Sequence, residues 1–386
     1  MEKEKSTMKA LFDHTKINNL DLQNRFARSG TWLGFAQKNG HLNEAVYKIY
    51  EDLAKGGTGL LFTSFAYITE EEHPNNRMIG IYDDSFIPEY HKLAEIVHAQ
   101  NVKIVAQIVY GGSQNICYEE DKKKMYIIGP SAVFNERSGI TPVVASKEDI
   151  NVLAENFAAA ALRAKKAGID GVQIHAAHGY MLSQWLTPFF NRRTDEYGGD
   201  IHNRARIIYE VYTAVRKAVG NEYPVMIKLN CSDFMKEEGL TEEDAMKVCT
   251  QLDEMGIDLI EVSGGNTSGV GNFEKTARKH LHKVEDQSYF WMFASQAARR
   301  MKHAKIMLTG GNLNYRRMEN LLNQTDIEYF GLSRALICEP DLVTRWKKDP
   351  EYIARCVSCN GCLNKNGRDI NEEVQCVFKT GRREAK

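Results

Sequence analysis

Gly171-Val-Gln-Ile-His175-Ala-Ala-His178-Gly-Tyr180 opens a longer run, GVQIHAAHGYMLSQWLTPFFNRRTDEYGGDIHNRAR, that ends at Arg206. Gly171 to Ile174 reads as a short apolar strand, and polar chemistry begins where that strand should end. In α/β barrels the catalytic groups lie at the carboxyl ends of strands. Two imidazoles and a phenol form a compact set of hydrogen-bond donors whose protonation is set by their surroundings. A satisfied polar pair is the plainer reading of His175 and His178. A zinc site needs a third ligand and usually the H-E-x-x-H spacing, which is absent.

Outward from this run, short apolar stretches alternate with amphipathic ones, the pattern of repeated β-α units around a parallel sheet. Eight strands are expected near Phe26–Ser29, Gly59–Thr63, Lys103–Gln107, Gly171–His175, Val225–Lys228, Leu259–Val262, Lys305–Leu308 and Tyr329–Leu332. Helices are expected over Glu89–Gln100, Lys147–Ala167, Asn203–Val219 and Glu242–Met255, with Thr241 and Asp244 as a capping box. Gly168 and Gly256 stand just past two of these helices, where a left-handed residue turns the chain into the next strand. The fold class is therefore α/β, a single (β/α)8 TIM barrel.

Residues 110–146 interrupt the barrel after the third strand and are too long for a simple connection, so they are expected to form a lid. Within them, Lys122-Lys123-Lys124 reads as a solvated turn. The barrel domain is expected over residues 1–350, and a Cys-rich extension over 351–386. Residues 1–9 and the closing GRREAK are expected to be loose.

The chain has 386 residues, 43% of them hydrophobic, and a net charge of −1. That supports a large core and gives no reason to expect nucleic acid or a membrane as partner. No apolar run approaches the length of a membrane span, and the polar start does not read as a signal peptide, so a cytoplasmic location is expected. Homo-oligomer formation is left open. Of eight cysteines, Cys117, Cys231, Cys249 and Cys338 are scattered and read as small core or loop residues. Cys356, Cys359, Cys362 and Cys376 crowd into the tail, in a pattern that favours a metal or cluster site over disulfides.

His175-Ala-Ala-His178-Gly-Tyr180, Leu186-Thr-Pro188, Asn191, Arg193-Thr-Asp-Glu-Tyr-Gly-Gly199 and Asn203-Arg204 together resemble the old yellow enzyme family of flavin-dependent ene-reductases. The resemblance implies FMN as cofactor. Ser29, Gly30, Thr31 and Trp32 would then meet the flavin edge, with Ser64 or Phe65 beside them. Gln107 would bond the pyrimidine side of the ring. Lys228 would stand near N1, where these proteins usually carry arginine; the charge is kept but the two-pronged bond is lost. Gly310-Gly311-Asn312 and Ser333-Arg334, at the ends of strands seven and eight, read as a phosphate site.

The implied chemistry is reduction of an electron-poor alkene such as an enone, enal or nitro-alkene. NADH or NADPH reduces the flavin and leaves; His175 and His178 bond the substrate oxygen; hydride passes from flavin N5; Tyr180 protonates the α carbon. Cys356-x2-Cys359-x2-Cys362 with distant Cys376 is similar to the cluster segment of trimethylamine dehydrogenase and 2,4-dienoyl-CoA reductase. A [4Fe–4S] cluster, a zinc ion and free thiols all remain open. Two rival functions follow: an amine dehydrogenase passing electrons through the cluster, against which His175 argues, and an electron-transfer subunit whose tail docks a partner.

Overall fold

The computed structural model describes residues 8–117, 119–123, 125–268, 273–363 and 373–378. Eight parallel strands form one closed barrel: β1 Phe26–Arg28, β2 Leu60–Phe62, β3 Lys103–Val109, β4 Gly171–Ala176, β5 Val225–Asn230, β6 Leu259–Ser263, β7 Lys305–Thr309 and β8 Tyr329–Leu332. Each expected strand is present, its ends within two residues of those expected. Closure is direct, since β8 pairs with β1 through Gly331 and Ala27, while β2 pairs with β3 through Leu61 and Ile104. These strands are short and buried on both faces, so they read as continuous apolar runs without alternation.

Two cores follow from that geometry. Inside the lower barrel, Ala27, Leu60, Phe62, Val105, Met226, Leu259, Met307 and Tyr329 pack against one another. Outside it, the apolar stripes of helices Ile87–His98, Lys147–Lys166, Arg206–Val219 and Glu242–Glu254 cover the sheet. The hairpin Thr15–Ile17/Leu20–Leu22, which the sequence reading did not foresee, supplies Ile17, Leu20 and Leu22 to the inner core.

The local turns behave as their residues dictate. Gly168 (φ +78°) and Gly256 (φ +85°) take the left-handed conformation just past a helix end, where a side chain would be strained. At Thr241 only half of the expected capping box forms: its hydroxyl accepts from the Asp244 N–H. The Asp244 carboxylate is drawn instead to Arg204 at 2.6 Å. The reciprocal box sits at Ser146 and Asp149.

Residues 110–146 contain a short parallel pair, Ile128–Gly129 with Val143–Val144. They return to the barrel's carboxyl end through Gln114, which donates to the His178 carbonyl at 2.9 Å, and Arg137, which donates to the Thr267 carbonyl at 2.6 Å. Of the triplet at 122–124, Lys124 lies outside the described residues. So do residues 1–7 and 381–386 of the ends expected to be loose; Lys9, by contrast, is tied by two hydrogen bonds to Asn323. The tail is not a separate body. Val374 donates to the Leu33 carbonyl, Asn360 to that of Ala277, and Cys376 packs with Leu33 and Cys338. Cys338, read as a small core or loop residue, is buried and packs in this same cluster.

Candidate active site

A cavity of about 290 Å³ opens at the carboxyl end of the barrel. One wall carries His178 and Tyr180, and the opposite end carries Gly310, Gly311, Asn312, Ser333 and Arg334. Ser29, Gly30, Thr31, Trp32 and Lys228 line the space between. The strand ends thus bring together most of the residues singled out from the sequence, from five different strands.

His175, the penultimate residue of β4, lies behind this wall, 2% exposed. Its ring meets His178 edge-on at 5.4 Å and Tyr180 at 5.1 Å. Nδ1 accepts from the Ala177 N–H at 3.2 Å, so the proton of the neutral ring sits on Nε2. His178 adopts φ +63°, a costly conformation for a residue with a side chain and one that clusters at functional sites. Asn230 holds its backbone N–H at 3.2 Å, and Ser263 contacts its Nε2 at 2.8 Å. Burial, then the nearby charges, pushes the His175 imidazole well below its ordinary range and His178 down to about 3. Both rings are therefore neutral near pH 7, each with a single N–H.

Tyr180 precedes the helix Met181–Leu186. Asn75 donates to its hydroxyl oxygen at 3.3 Å, and the Phe65 ring leans on it at 5.3 Å. Burial raises the phenol's pKa, so it keeps its proton. Phe65, not Ser64, faces the cavity. The Ser64 hydroxyl is spent on the Thr31 carbonyl at 2.6 Å and so positions that residue from behind.

Beneath the cavity lies a buried polar chain. Gln107 donates to Gln173 at 2.5 Å, and Gln173 donates to Glu261 at 2.8 Å. Glu261 also pairs with Lys228 at 3.0 Å and accepts from Ser29 at 2.5 Å and Thr309 at 2.8 Å. Gln107 Oε1 is buried with no partner, an acceptor that an N–H of a flavin ring would satisfy. A Cβ at Gly30 would overlap this amide, so the glycine is what allows close approach. At the other end Gly310 (φ +126°) and Gly311 (φ +74°) turn the chain. Thr31 bridges β1 to Ser333 at 2.9 Å. The side chain of Asn312 is spent on the carbonyls of Leu308 and Gly331, which leaves its backbone at the cavity. These groups fit a flavin mononucleotide: an acceptor for the ring, a cation in Lys228, and glycine backbone with Ser333 and Arg334 for the phosphate.

Arg334 does a second thing. It donates to Asn360 and to the Arg278 carbonyl, and borders both the main cavity and a small one lined by Cys356, Cys359, Cys362 and Cys376. Cys362 also lines the main cavity. Burial pushes the Cys362 thiol up to about 12 and raises Cys356, with Arg334 opposing both. Among the described residues no three Cys, His, Asp or Glu side chains converge to grip a single ion.

Residues 10–351 match the NADH:flavin oxidoreductase / NADH oxidase family. The chain belongs to that family. It is 32% identical to a metal reductase of Desulforamulus reducens over 92% of its own length and 52% of that protein's. It is 31% identical to an NADPH dehydrogenase of Listeria monocytogenes over 68% of this chain and 75% of that one. Among solved structures, 2-naphthoyl-CoA reductase in complex with 2-naphthoyl-CoA superposes with a TM-score of 0.83 at 23% identity, over 92% of this chain and 54% of that one. The chain therefore spans about half the length of the metal reductase and of that reductase structure. Family membership brings FMN as the cofactor and NADH or NADPH as its reductant.

Asn75, Gln114, Arg137, Gln173 and Glu261 were not found from the sequence. Asn75, Gln114 and Arg137 sit in loops with no periodic or motif signal. Glu261 was legible in one respect, as an acidic residue inside an apolar strand, Leu259-Ile-Glu-Val-Ser263.

Proposed function

We propose that this chain reduces activated carbon–carbon double bonds, with FMN and NAD(P)H, through His178, His175 and Tyr180. The observation that carries the reading is the shared wall. A neutral imidazole donor and a protonated phenol line one cavity, above a floor that ends in the partnerless Gln107 acceptor. When bound, FMN supplies the hydride chemistry. His178 donates to the substrate's carbonyl or nitro oxygen, and His175, packed edge-on against it from behind the wall, holds that ring in place. Stabilising the charge that builds on that oxygen favours the transition state over the ground state. Tyr180 gives its proton to the α carbon, with Asn75 fixing its hydroxyl. Residues 110–146 act as a lid through Gln114 and Arg137, and exclude water from this wall.

The four tail cysteines hold a [4Fe–4S] cluster in this reading. Four thiols lining one small cavity support that reading, since Cys thiolates are the usual ligands of such clusters. Cys362 borders both cavities, which favours a second reading in which electrons leave through the tail, as in an amine dehydrogenase. The protein works in the cytoplasm. Anaerobic addition of NADPH and then 2-cyclohexenone tests the first reading: the flavin band bleaches, then returns with saturated ketone. Return only with an artificial electron acceptor, together with bleaching by a tertiary amine, would favour the second.

A further inference from the structure

Glu261 has no place in the chemistry above, yet it is fully buried and its carboxylate accepts from four side chains. β5 and β6 pair in register so that Lys228 stands opposite Glu261, while across β4 Lys228 stands opposite His175. One carboxylate oxygen accepts from Ser29 at 2.5 Å, Thr309 at 2.8 Å and Lys228 at 3.0 Å; the other accepts from Gln173 at 2.8 Å. Lys228 also donates to the Ser29 hydroxyl at 2.9 Å. A buried carboxylate persists only when paired and hydrogen-bonded, and here the four donors come from four different strands or the residue just past one. Lys228, the only cation on the cavity floor among the described residues, is therefore tied to an anion one strand away.

We infer that Glu261 is a positioning residue that sets the redox poise of the bound flavin by offsetting and orienting Lys228. The inference rests on Lys228 facing the flavin, as proposed above. With the pair intact the local charge is close to zero, and the reduced ring gains less stabilisation than a lone cation would give. Removing the carboxylate leaves Lys228 uncompensated and favours the reduced form. Glu261 touches no substrate, so its effect reads out in the flavin's equilibrium properties.

The test uses the FMN-loaded protein and two readouts: the dissociation constant of the flavin–sulfite complex, which reports positive charge at the ring, and the midpoint potential. Glu261→Gln should tighten sulfite at least tenfold and raise the potential, tenfold corresponding to about 30 mV for a two-electron couple. Lys228→Gln should move both readouts the opposite way, and the double variant should return towards the parent. If Lys228→Gln shifts both while Glu261→Gln shifts neither, the inference about Glu261 is overturned and Lys228 keeps its role. If neither variant shifts either readout, Lys228 does not face the flavin and both readings fall. Should Glu261→Gln not fold, Glu261→Asp carries the test, because it withdraws the same charge by one methylene. A weaker shift in the same direction is expected, and an unchanged sulfite affinity overturns the inference.

Discussion

Asn75 donates through Nδ2 to the hydroxyl oxygen of Tyr180 at 3.3 Å. A phenol that accepts from a side-chain amide keeps its own O–H free to donate. With the pKa raised by burial, that proton stays in place throughout the neutral range. The contact joins the loop after β2 to the loop after β4, and it gives the site a proton donor whose direction is set by a residue outside the motif.

The two histidines should not behave alike. His178 lines the cavity, whereas His175 lies behind it with Nδ1 engaged by the Ala177 N–H. His178→Ala should weaken phenol and enone binding by roughly 1.5–3 kcal/mol, the range for hydrogen bonds to charge-bearing groups, with FMN retained. His175→Ala should weaken it too and also lower thermal stability, since it leaves a hole beside Phe65 and Tyr180. Titration of the flavin spectrum and a melting curve measure both. Because burial holds both imidazoles neutral, affinity for an enone should be flat from about pH 5 to 8, below and above the ordinary histidine pKa. A step near pH 6.5 would mean that one of them ionises as an exposed histidine does.

Gly30→Ala should cost flavin affinity while leaving the barrel folded. Its Cβ would displace the Gln107 amide, whose Oε1 is the buried acceptor without a partner. Losing one such bond is worth about 1–3 kcal/mol, roughly a tenfold to hundredfold weaker FMN complex. Fluorescence titration of the apoprotein measures this, and undiminished affinity would remove Gln107 from the flavin site.

The barrel was legible because its strands are short apolar runs alternating with amphipathic helices, two of which stop at a glycine, Gly168 and Gly256, that turns the chain into the next strand. The motif His175-x-x-His178-x-Tyr180 marked the site because three polar rings crowd one strand end. What supports them was not legible. Asn75 and Arg137 act across the fold from irregular loops, and Gln173 and Glu261 take their meaning from neighbours 66 and 232 positions away. Pairings of that kind follow from barrel closure, not from local pattern. The packing of Cys338 with Cys376, 38 positions away, was hidden for the same reason.

Glu72 gives the fold a pH signature. It is buried, accepts from the Gly111 N–H at 3.0 Å and from Asn115 at 3.2 Å, and burial pushes its carboxyl up to about 7. Between its ordinary value and about 7 the folded chain holds a proton that the unfolded chain has released, so this group's contribution to stability falls as pH rises across that window. Glu72→Gln cannot ionise and should abolish that part of the slope. The difference in melting temperature between parent and variant should therefore change from pH 5 to pH 8; a constant difference would contradict the assignment.

Tyr180→Phe, followed through both half-reactions in an anaerobic stopped-flow experiment, tests the central claim most directly. The substitution keeps the ring against Phe65 and His175 and removes the hydroxyl that carries the proton. Reduction of the enzyme by NADPH should keep its rate. Reoxidation of the parent by 2-cyclohexenone should yield the saturated ketone, and the variant should be slower by about 10²–10⁴-fold, the usual contribution of a general acid. Nitro-alkenes, whose nitronate product can leave unprotonated, should be slowed far less. Equal slowing of both half-reactions, or a parent enzyme that the enone does not reoxidise, would contradict the assignment of Tyr180 as the acid of an alkene reductase.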